Sequence, residues 1–315
     1  MSLAYVYPGQ GSQAVGMLAD LADAYPIVNE SFAEASAALG YDLWQVSQHG
    51  PAEKLNQTPV TQPALLAAGV AVFRLWRQLG GRQATIMAGH SLGEYTALVC
   101  AGVIDFGDAV KLVEYRGQAM QEAVPEDAGA MAAILGLDDE QVVRACSQAA
   151  GDEIVSAVNF NSPGQVVIAG QSAAVDRAIV EAKQMGARKI IPLPVSVPSH
   201  CALMKGAADK LAQRLEEVEF RPATMPVVQN VDAKVCGSTE EIRSALVRQL
   251  YLPVRWVECV QYMASDGVDN LLECGPGKVL AGLNRRIDRG MGMYSVYDSG
   301  SLKAALEKTA GSGNE

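Results

Sequence analysis

The sequence has few histidines, no excess of positive charge, no long apolar run and no paired cysteine motif. Three histidines occur in 315 residues, and the six cysteines are scattered without a C-x-x-C pair. This pattern predicts neither a disulfide framework nor a metal site. The formal net charge of −10 makes nucleic acid a poor candidate partner, because its phosphates are negative as well. The longest apolar stretch, residues 64–73, is too short to cross a bilayer.

The overall composition is that of a globular protein with a substantial core. Hydrophobic residues make up 49% of the chain and charged residues 19%, which is unlike a disordered protein. The first residues show neither the basic start nor the cleavage-like site of a secretory signal. We therefore expect a cytoplasmic protein with reduced cysteines and no membrane association.

A G-x-S-x-G motif stands between a predicted strand and a predicted helix. Residues 85–88 are β-branched and apolar like a buried strand, residues 92–101 have helical composition, and Ser91 lies between them. Such a turn is strained and crowded, so it requires glycine on both sides of the serine. It holds the hydroxyl at the positive end of the helix, where the N–H of Leu92 can face a developing oxyanion. The alternative is an ordinary glycine-rich turn with a serine cap.

Two other glycine-rich turns follow predicted strands. Residues 8–13 match a loose dinucleotide fingerprint, but residues 20–39 look helical where that motif needs a second strand with an acidic end. The turn either brings a backbone N–H, such as that of Gln10, close to a substrate or is simply a tight connection. Residues 274–278 lack the spacing of a phosphate loop, and we interpret them as a turn that enters a helix.

An arginine interrupts the apolar face of the helix predicted at residues 106–124. Arg116 falls at the spacing of an inward stripe whose other members are apolar: Phe106, Ala109, Val110, Val113 and Met120. A buried guanidinium needs a carboxylate, because an unpaired buried charge costs several kcal/mol. That carboxylate belongs either to this chain or to a substrate, which would accept two parallel hydrogen bonds. A third interpretation is that the side chain reaches the surface.

The small number of histidines limits the candidates for a base that could serve Ser91. His90 is the next residue along an extended backbone, where neighbouring side chains point in opposite directions. His49 lies in a polar stretch with no sign of an apolar site around it. His200 is left as the best candidate, although a lone histidine after a proline is often a packing or capping residue.

The order of predicted elements indicates an α/β protein with an inserted subdomain. Residues 126–194 show the order β-α-β-β-α-β, with a turn predicted at residues 161–164, as in a ferredoxin-like unit. We predict that residues 1–125 and 195–315 form the larger subdomain and that residues 126–194 form the smaller one. Within the larger part, we predict an apolar helix at residues 64–79, after Pro63, and a last core strand at residues 270–273.

Five segments taken together resemble the malonyl-CoA:acyl-carrier-protein transacylases, the loading enzymes of bacterial type II fatty acid biosynthesis. The resemblance extends from about residue 4 to residue 300, and it implies an α/β-hydrolase-like larger subdomain with a ferredoxin-like smaller one. The segments are Pro-Gly-Gln-Gly-Ser-Gln at 8–13, Gly-His-Ser-Leu-Gly-Glu at 89–94, Asn-Phe-Asn-Ser-Pro-Gly-Gln at 159–165, Val-Ser-Val-Pro-Ser-His at 195–200 and Glu-Cys-Gly-Pro-Gly-Lys at 273–278.

The resemblance implies a role for each matching residue of a catalytic site. Ser91 would be the nucleophile and His200 its general base. A main-chain carbonyl at Gln249 would orient that histidine in place of an aspartate, although nothing in the residues themselves singles out Gln249. The N–H groups of Gln10 and Leu92 would form the oxyanion hole.

The resemblance also implies a substrate and a partner. Arg116 would pair with the malonyl carboxylate, and we further predict that Asn159 and Asn161 bind substrate. The expected reaction moves a malonyl group from malonyl-CoA to the phosphopantetheine thiol of acyl carrier protein, with no metal or other cofactor. We expect a monomer. Because the carrier is acidic, basic residues are candidates for docking it: Arg188, Lys189, Lys278, Arg285, Arg286 and Arg289.

Three other functions use the same features. A serine hydrolase or thioesterase would share Ser91 and His200 but release the acyl group to water. A related acyltransferase would load a polyketide or malonate-decarboxylase carrier. A non-catalytic carrier-binding module would need neither Ser91 nor His200, so their presence counts against it.

Overall fold

Two β-sheets organise the chain, and helices cover them. The structure is a computed structural model that describes residues 1–125, 127–194 and 197–310. Its strands, in chain order, are β1 Leu3–Tyr7, β2 Ile86–Gly89, β3 Gly129–Leu135, β4 Val155–Ser162, β5 Gln165–Gln171, β6 Lys189–Pro192, β7 Val227–Gln229, β8 Lys234–Val235, β9 Asn270–Cys274 and β10 Gly292–Val296.

Helices occupy most of the remaining described residues. A single 3₁₀ turn covers Ala202–Met204. The α-helices are α1 Ala19–Ala24, α2 Pro26–Leu39, α3 Leu43–His49, α4 Ala52–Leu55, α5 Thr58–Gln78, α6 Leu92–Cys100, α7 Phe106–Ala123, α8 Asp139–Ala150, α9 Ser172–Gln184, α10 Lys205–Glu216, α11 Thr239–Gln249, α12 Trp256–Ser265, α13 Val279–Ile287 and α14 Ser299–Thr309.

The larger sheet has the strand order β10-β9-β1-β2-β7-β8. Its pairs are parallel except for the last one, β7 with β8. The strands β1, β2 and β9 are buried along their whole length, as expected for a sheet covered by helices on both faces. Because β1 and β2 are parallel neighbours, the turns that follow Tyr7 and Gly89 meet at the same edge of the sheet.

The smaller sheet has the order β4-β5-β3-β6, and its neighbours are antiparallel. The helices α8 and α9 pack on one face and share an apolar core with the strands. This is a ferredoxin-like subdomain beside a larger α/β subdomain, and it confirms the predicted fold class. Residues 126 and 195, where we predict the chain to cross between subdomains, lie outside the described residues. The bounds 1–125, 126–194 and 195–315 therefore stay predictions.

Two predicted elements were wrong in their extent, and a third was wrong in its position as the last strand. The helix predicted from residue 64 begins at Thr58 and contains Pro63 in its interior, where the proline removes one backbone hydrogen bond without ending the helix. The turn predicted at residues 161–164 is shorter, since β4 continues to Ser162. The strand β9 is not the last one, because β10 pairs with it in parallel.

The smaller subdomain contacts the larger one along β4. The N–H of Phe160 donates to the carbonyl oxygen of Val254 at 3.0 Å, and the N–H of Val254 donates to that of Val158 at 2.9 Å. The side chain of Arg286 donates to that of Gln165 at 2.7 Å. These bonds hold β4 beside the carboxyl edge of the larger sheet. Within residues 1–125, 127–194 and 197–310, no helix has the length and apolar character that crossing a membrane requires.

Candidate active site

Ser91 lies at a strained turn between β2 and α6. Its backbone has φ 51° and ψ −108°, which a non-glycine residue rarely adopts. The turn is too crowded for side chains on either side of the serine. A Cβ atom at Gly89 would lie 1.9 Å from the carbonyl oxygen of Gly93, and one at Gly93 would lie 2.0 Å from that of Tyr7. The glycine spacing of the motif is therefore a requirement of packing.

Asn230, which follows β7, holds this turn in place. Its Oδ1 accepts from the N–H of Ser91 at 2.7 Å, and its Nδ2 donates to the carbonyl oxygen of Gly89 at 2.7 Å. The N–H of Ser91 is thus occupied. The next N–H, that of Leu92, is the first of α6 and donates to no acceptor in the described part of the chain.

His200 lies within proton-transfer distance of Ser91. Its Nε2 is 2.8 Å from the Ser91 Oγ, and its Nδ1 is 2.6 Å from the main-chain carbonyl oxygen of Gln249. A carbonyl can only accept, so Nδ1 carries the hydrogen and Nε2 is left to accept the serine proton. The N–H of His200 also donates to the carbonyl oxygen of Leu250, at 2.9 Å.

The end of α11 explains why a carbonyl can take this position. Gln249 is the last residue of α11, where carbonyl oxygens have no partner within the helix and carry the negative end of the dipole. A protonated imidazole would be favoured there. Burial opposes it, and together with the charge of Arg116 it lowers the pKa of His200 to about 3. The resting histidine is therefore neutral, as a base must be.

Arg116 is buried on α7 beside the Ser91 hydroxyl. Its Nη1 donates to the Oε1 of Gln62 at 2.7 Å, and its Nη2 donates to the Oε1 of Gln249 at 2.9 Å and lies 3.4 Å from the Ser91 Oγ. Its guanidinium carbon is 5.3 Å from the centre of the Tyr95 ring. Of the alternatives left open, the side chain does not reach the surface, and two amide oxygens take the place of a bonded carboxylate of this chain. The amide oxygens accept from Nη1 and Nη2 but carry no formal charge, and Nε has no partner among the described residues.

One cleft collects most of the predicted site residues. It has a volume of about 110 Å³. Gln10, like Leu92, has a main-chain N–H without an acceptor among the described residues. Asn161 is not among the residues that line this cleft, and its Oδ1 is 2.8 Å from the Nε2 of His90, which is among them. His49 is exposed and lies elsewhere. The lining residues are Gln10, His90, Ser91, Leu92, Arg116, Met120, Met131, Asn159, Leu193, Val197, Ser199 and His200.

Three buried polar residues of the site were missed in the sequence. Gln62, Glu94 and Asn230 each bond to a residue of the cleft or to its support. The available signal was a polar side chain at a position where an apolar one is expected. Gln62 precedes the apolar run of α5, and Glu94 lies in the first turn of a buried helix. Asn230 offers no such signal, because it follows a three-residue strand.

The fold and the cleft agree with a match to a family of known enzymes. The family model described as an acyl transferase domain matches residues 4–288. This range contains both sheets except for β10 and the first residue of β1, and it contains every residue that lines the cleft.

Similarity to individual proteins extends over nearly the whole chain. Malonyl CoA-acyl carrier protein transacylase of Escherichia coli strain K12 is 62% identical over 304 residues, which cover 96% of this chain and 98% of that protein. The solved acyl carrier protein S-malonyltransferase of Vibrio cholerae is 61% identical, with a TM-score of 0.94 and coverage of 96% and 99%. The chain therefore belongs to the acyl transferase family, among the malonyl CoA-acyl carrier protein transacylases.

A second solved structure includes a carrier protein. A malonyl-transacylase in complex with its type II PKS acyl-carrier protein is 60% identical to this chain. The match has a TM-score of 0.97 and covers 98% of this chain and 100% of that one.

Proposed function

We propose that this chain transfers a malonyl group from malonyl-CoA to the phosphopantetheine thiol of an acyl carrier protein through a malonyl ester of Ser91. The observation that carries the proposal is the arrangement of three groups in one cleft. A serine hydroxyl lies 2.8 Å from a neutral imidazole, and a buried guanidinium lies 3.4 Å from the same hydroxyl. The family membership supports the same reaction.

The first half-reaction forms the ester. The Ser91 Oγ attacks the thioester carbonyl carbon while the Nε2 of His200 takes its proton. The N–H groups of Gln10 and Leu92 stabilise the resulting oxyanion, and each such donor is worth about 10²–10³ in rate. The carbon–sulfur bond then breaks, and His200 returns the proton to the sulfur of CoA.

The second half-reaction reverses the first with a different thiol. The phosphopantetheine sulfur attacks the ester carbonyl carbon as His200 takes the thiol proton. The bond between that carbon and the Ser91 oxygen breaks, and His200 returns the proton to the serine. The thioester is already activated, so we propose that neither step uses a metal or another cofactor.

Arg116 gives the site its preference for a malonyl group. The malonyl carboxylate is one methylene away from the reacting carbonyl, so the guanidinium beside the Ser91 Oγ is within its reach. The two amide oxygens bonded to Arg116 carry no formal charge, so the guanidinium has no carboxylate bonded to it until a malonyl group binds. An acetyl group offers no carboxylate, so it leaves that buried charge unpaired.

The two asparagines contribute differently under this proposal. Asn159 lines the cleft and is available to the acyl group or the pantetheine arm. Asn161 acts indirectly, because it is bonded to the His90 side chain, which lines the cleft. The Asn161–His90 bond joins β4 of the smaller sheet to the turn that carries Ser91.

A basic surface at the junction of the subdomains suits an acidic carrier. All six candidate residues are exposed. The bond between Arg286 and Gln165 brings the end of α13 to the start of β5. The N–H of Gly136 bonds to the carbonyl oxygen of Gly164 nearby, and Arg188 packs on Gly136. Residues near 188 and 286 therefore belong to one continuous surface, which steers an acidic partner by charge.

The remaining expectations complete the proposal. We infer that the protein acts as a monomer in the cytoplasm, apart from membranes and nucleic acid. The likeness to a malonyl-transacylase in complex with a type II PKS acyl-carrier protein supports an acyl carrier protein as the acceptor.

The test follows the malonyl group to its product. The protein is mixed with malonyl-CoA and a phosphopantetheinylated acyl carrier protein, and malonyl-carrier and free malonate are both quantified. We expect malonyl-carrier as the main product, and no product with Ser91→Ala. Free malonate as the main product would show a hydrolase instead.

A further inference from the structure

A buried carboxylate behind the cleft has no part in the reaction described above. Glu94 lies in the first turn of α6 and is 0% exposed. It does not line the cleft. An isolated buried carboxylate is costly, so its retention next to Ser91 requires a reason.

Glu94 contacts two supports of the site with one oxygen. Its Oε2 accepts from the Nε2 of Gln249 at 3.0 Å and from the N–H of Asn230 at 2.8 Å. Asn230 holds the main chain on both sides of the Ser91 turn, and Gln249 presents its carbonyl to His200. Its other oxygen, Oε1, has no partner among the described residues.

The side-chain amide of Gln249 can bond in two ways, and only one of them suits Arg116. In the observed orientation its Nε2 donates to Glu94 and to the carbonyl oxygen of Ser91, and its Oε1 accepts from Arg116 at 2.9 Å. The flipped orientation would turn an NH₂ group towards a guanidinium, which has donors only. The carboxylate of Glu94 opposes this flip together with the Ser91 carbonyl, because both can accept but cannot donate.

We propose that Glu94 is a positioning residue that fixes the amide orientation of Gln249 and thereby holds Arg116 for the malonyl carboxylate. The inference rests on the proposed function, because it assigns Glu94 to the selection of that substrate. A neutral amide at position 94 could present either its oxygen or its NH₂ group to Gln249, so this contact would no longer select one orientation, and only the Ser91 carbonyl and Arg116 would still do so. The acceptor that Gln249 offers the guanidinium beside the Ser91 hydroxyl would then be held less firmly.

The carboxylate form is the one that matters for this role. Burial raises the pKa of Glu94 to about 7, opposed by the hydrogen bonds from Gln249 and Asn230 and by the charge of Arg116. Kinetics are therefore best measured about one pH unit above that value, where the carboxylate form predominates.

The experiment compares Glu94→Gln with Glu273→Gln. Glu273 is a matched control, because it is also buried, its pKa is also raised to about 7 by burial, and it accepts from the N–H groups of Leu280 and Ala281. The assay measures kcat/KM for malonyl-CoA and for acetyl-CoA, together with the thermal midpoint. For Glu94→Gln we expect kcat/KM with malonyl-CoA to fall about tenfold, and the malonyl-to-acetyl ratio to fall at least about threefold.

The malonyl-to-acetyl ratio separates positioning from simple stability. A destabilised enzyme has fewer active molecules, which lowers the rates with malonyl-CoA and acetyl-CoA by the same factor. The malonyl-to-acetyl ratio then does not change. An unchanged ratio in Glu94→Gln, or an equal fall in Glu273→Gln, would overturn the proposal. If Glu94→Gln does not fold, Glu94→Asp keeps the charge but is too short for both contacts, and the same fall in ratio is expected. A wild-type enzyme that transfers no malonyl group would instead refute the proposed function.

Discussion

Replacing Arg116 with alanine should change which acyl group the enzyme prefers. Arg116 is 1% exposed, and its Nη2 lies 3.4 Å from the Ser91 Oγ. In the variant, the malonyl carboxylate enters a buried site without a cation, whereas an acetyl group loses nothing. The substitution therefore slows the reaction of malonyl-CoA and leaves that of acetyl-CoA unchanged.

The size of the effect follows from the bonds that are lost. A hydrogen bond to a charged group contributes about 1.5–3 kcal/mol, and an arginine gives a carboxylate two of them. Taking about 3 kcal/mol for the pair, with about 1.4 kcal/mol for each factor of ten, the malonyl preference should fall roughly a hundredfold. Part of the stability should be lost as well, because the Oε1 atoms of Gln62 and Gln249 lose their donor.

A competition assay measures this preference directly. Malonyl-CoA and acetyl-CoA are supplied together, and the ratio of the two carrier products gives the ratio of kcat/KM. Arg243→Ala is the matched control, because that arginine also packs on an aromatic ring, Phe220, at 4.4 Å, but lies outside the cleft. The reasoning fails if Arg116→Ala keeps the wild-type ratio while remaining folded.

Two further predictions concern docking and pH. Changing Arg285 and Arg286 to glutamate should raise the KM for the carrier about tenfold without slowing malonylation by malonyl-CoA, because only the carrier is steered by that surface. The control is Arg77→Glu, which changes an exposed arginine at the end of α5. An unchanged carrier KM in the double variant would reject the docking surface. Burial and the Arg116 charge lower the pKa of His200 to about 3, below its unfolded value of about 6.5. Between these two pKa values, the unfolded chain binds a proton at His200 that the folded protein does not bind. The free energy of unfolding therefore falls as the pH is lowered from about 6.5 to about 3. Denaturation at several pH values should show wild type losing about 1.4 kcal/mol per pH unit more than His200→Gln, and equal slopes would contradict the assignment.

Much of the site and of the smaller subdomain could be predicted from patterns within short stretches of sequence. The turn around Ser91 could be predicted because a strand, two glycines and a helix lie within a few residues of one another. The bond between His200 and Ser91 spans 109 positions, yet the histidine was found because only three exist in the chain. The β-α-β-β-α-β order likewise depends on neighbouring elements, and residues 129–192 show the predicted order of strands and helices along the chain.

Features that depend on distant contacts could not be predicted in this way. Glu94 meets Asn230 and Gln249 across 136 and 155 positions. The contribution of Gln249 to His200 is a main-chain carbonyl, which every residue has, so its side chain carries no signal. The strand β10 was missed because it is short and begins at Gly292, and its pairing with β9 decides its conformation.

Intact mass after mixing with malonyl-CoA tests the central claim most directly. The claim is that Ser91, activated by His200, carries the malonyl group between its two thiols. The wild-type protein should gain the mass of one malonyl group and lose it when phosphopantetheinylated carrier is added, whereas Ser91→Ala should gain nothing. A malonyl adduct that persists in Ser91→Ala, or a wild-type protein that transfers the group without forming an adduct, would contradict the account.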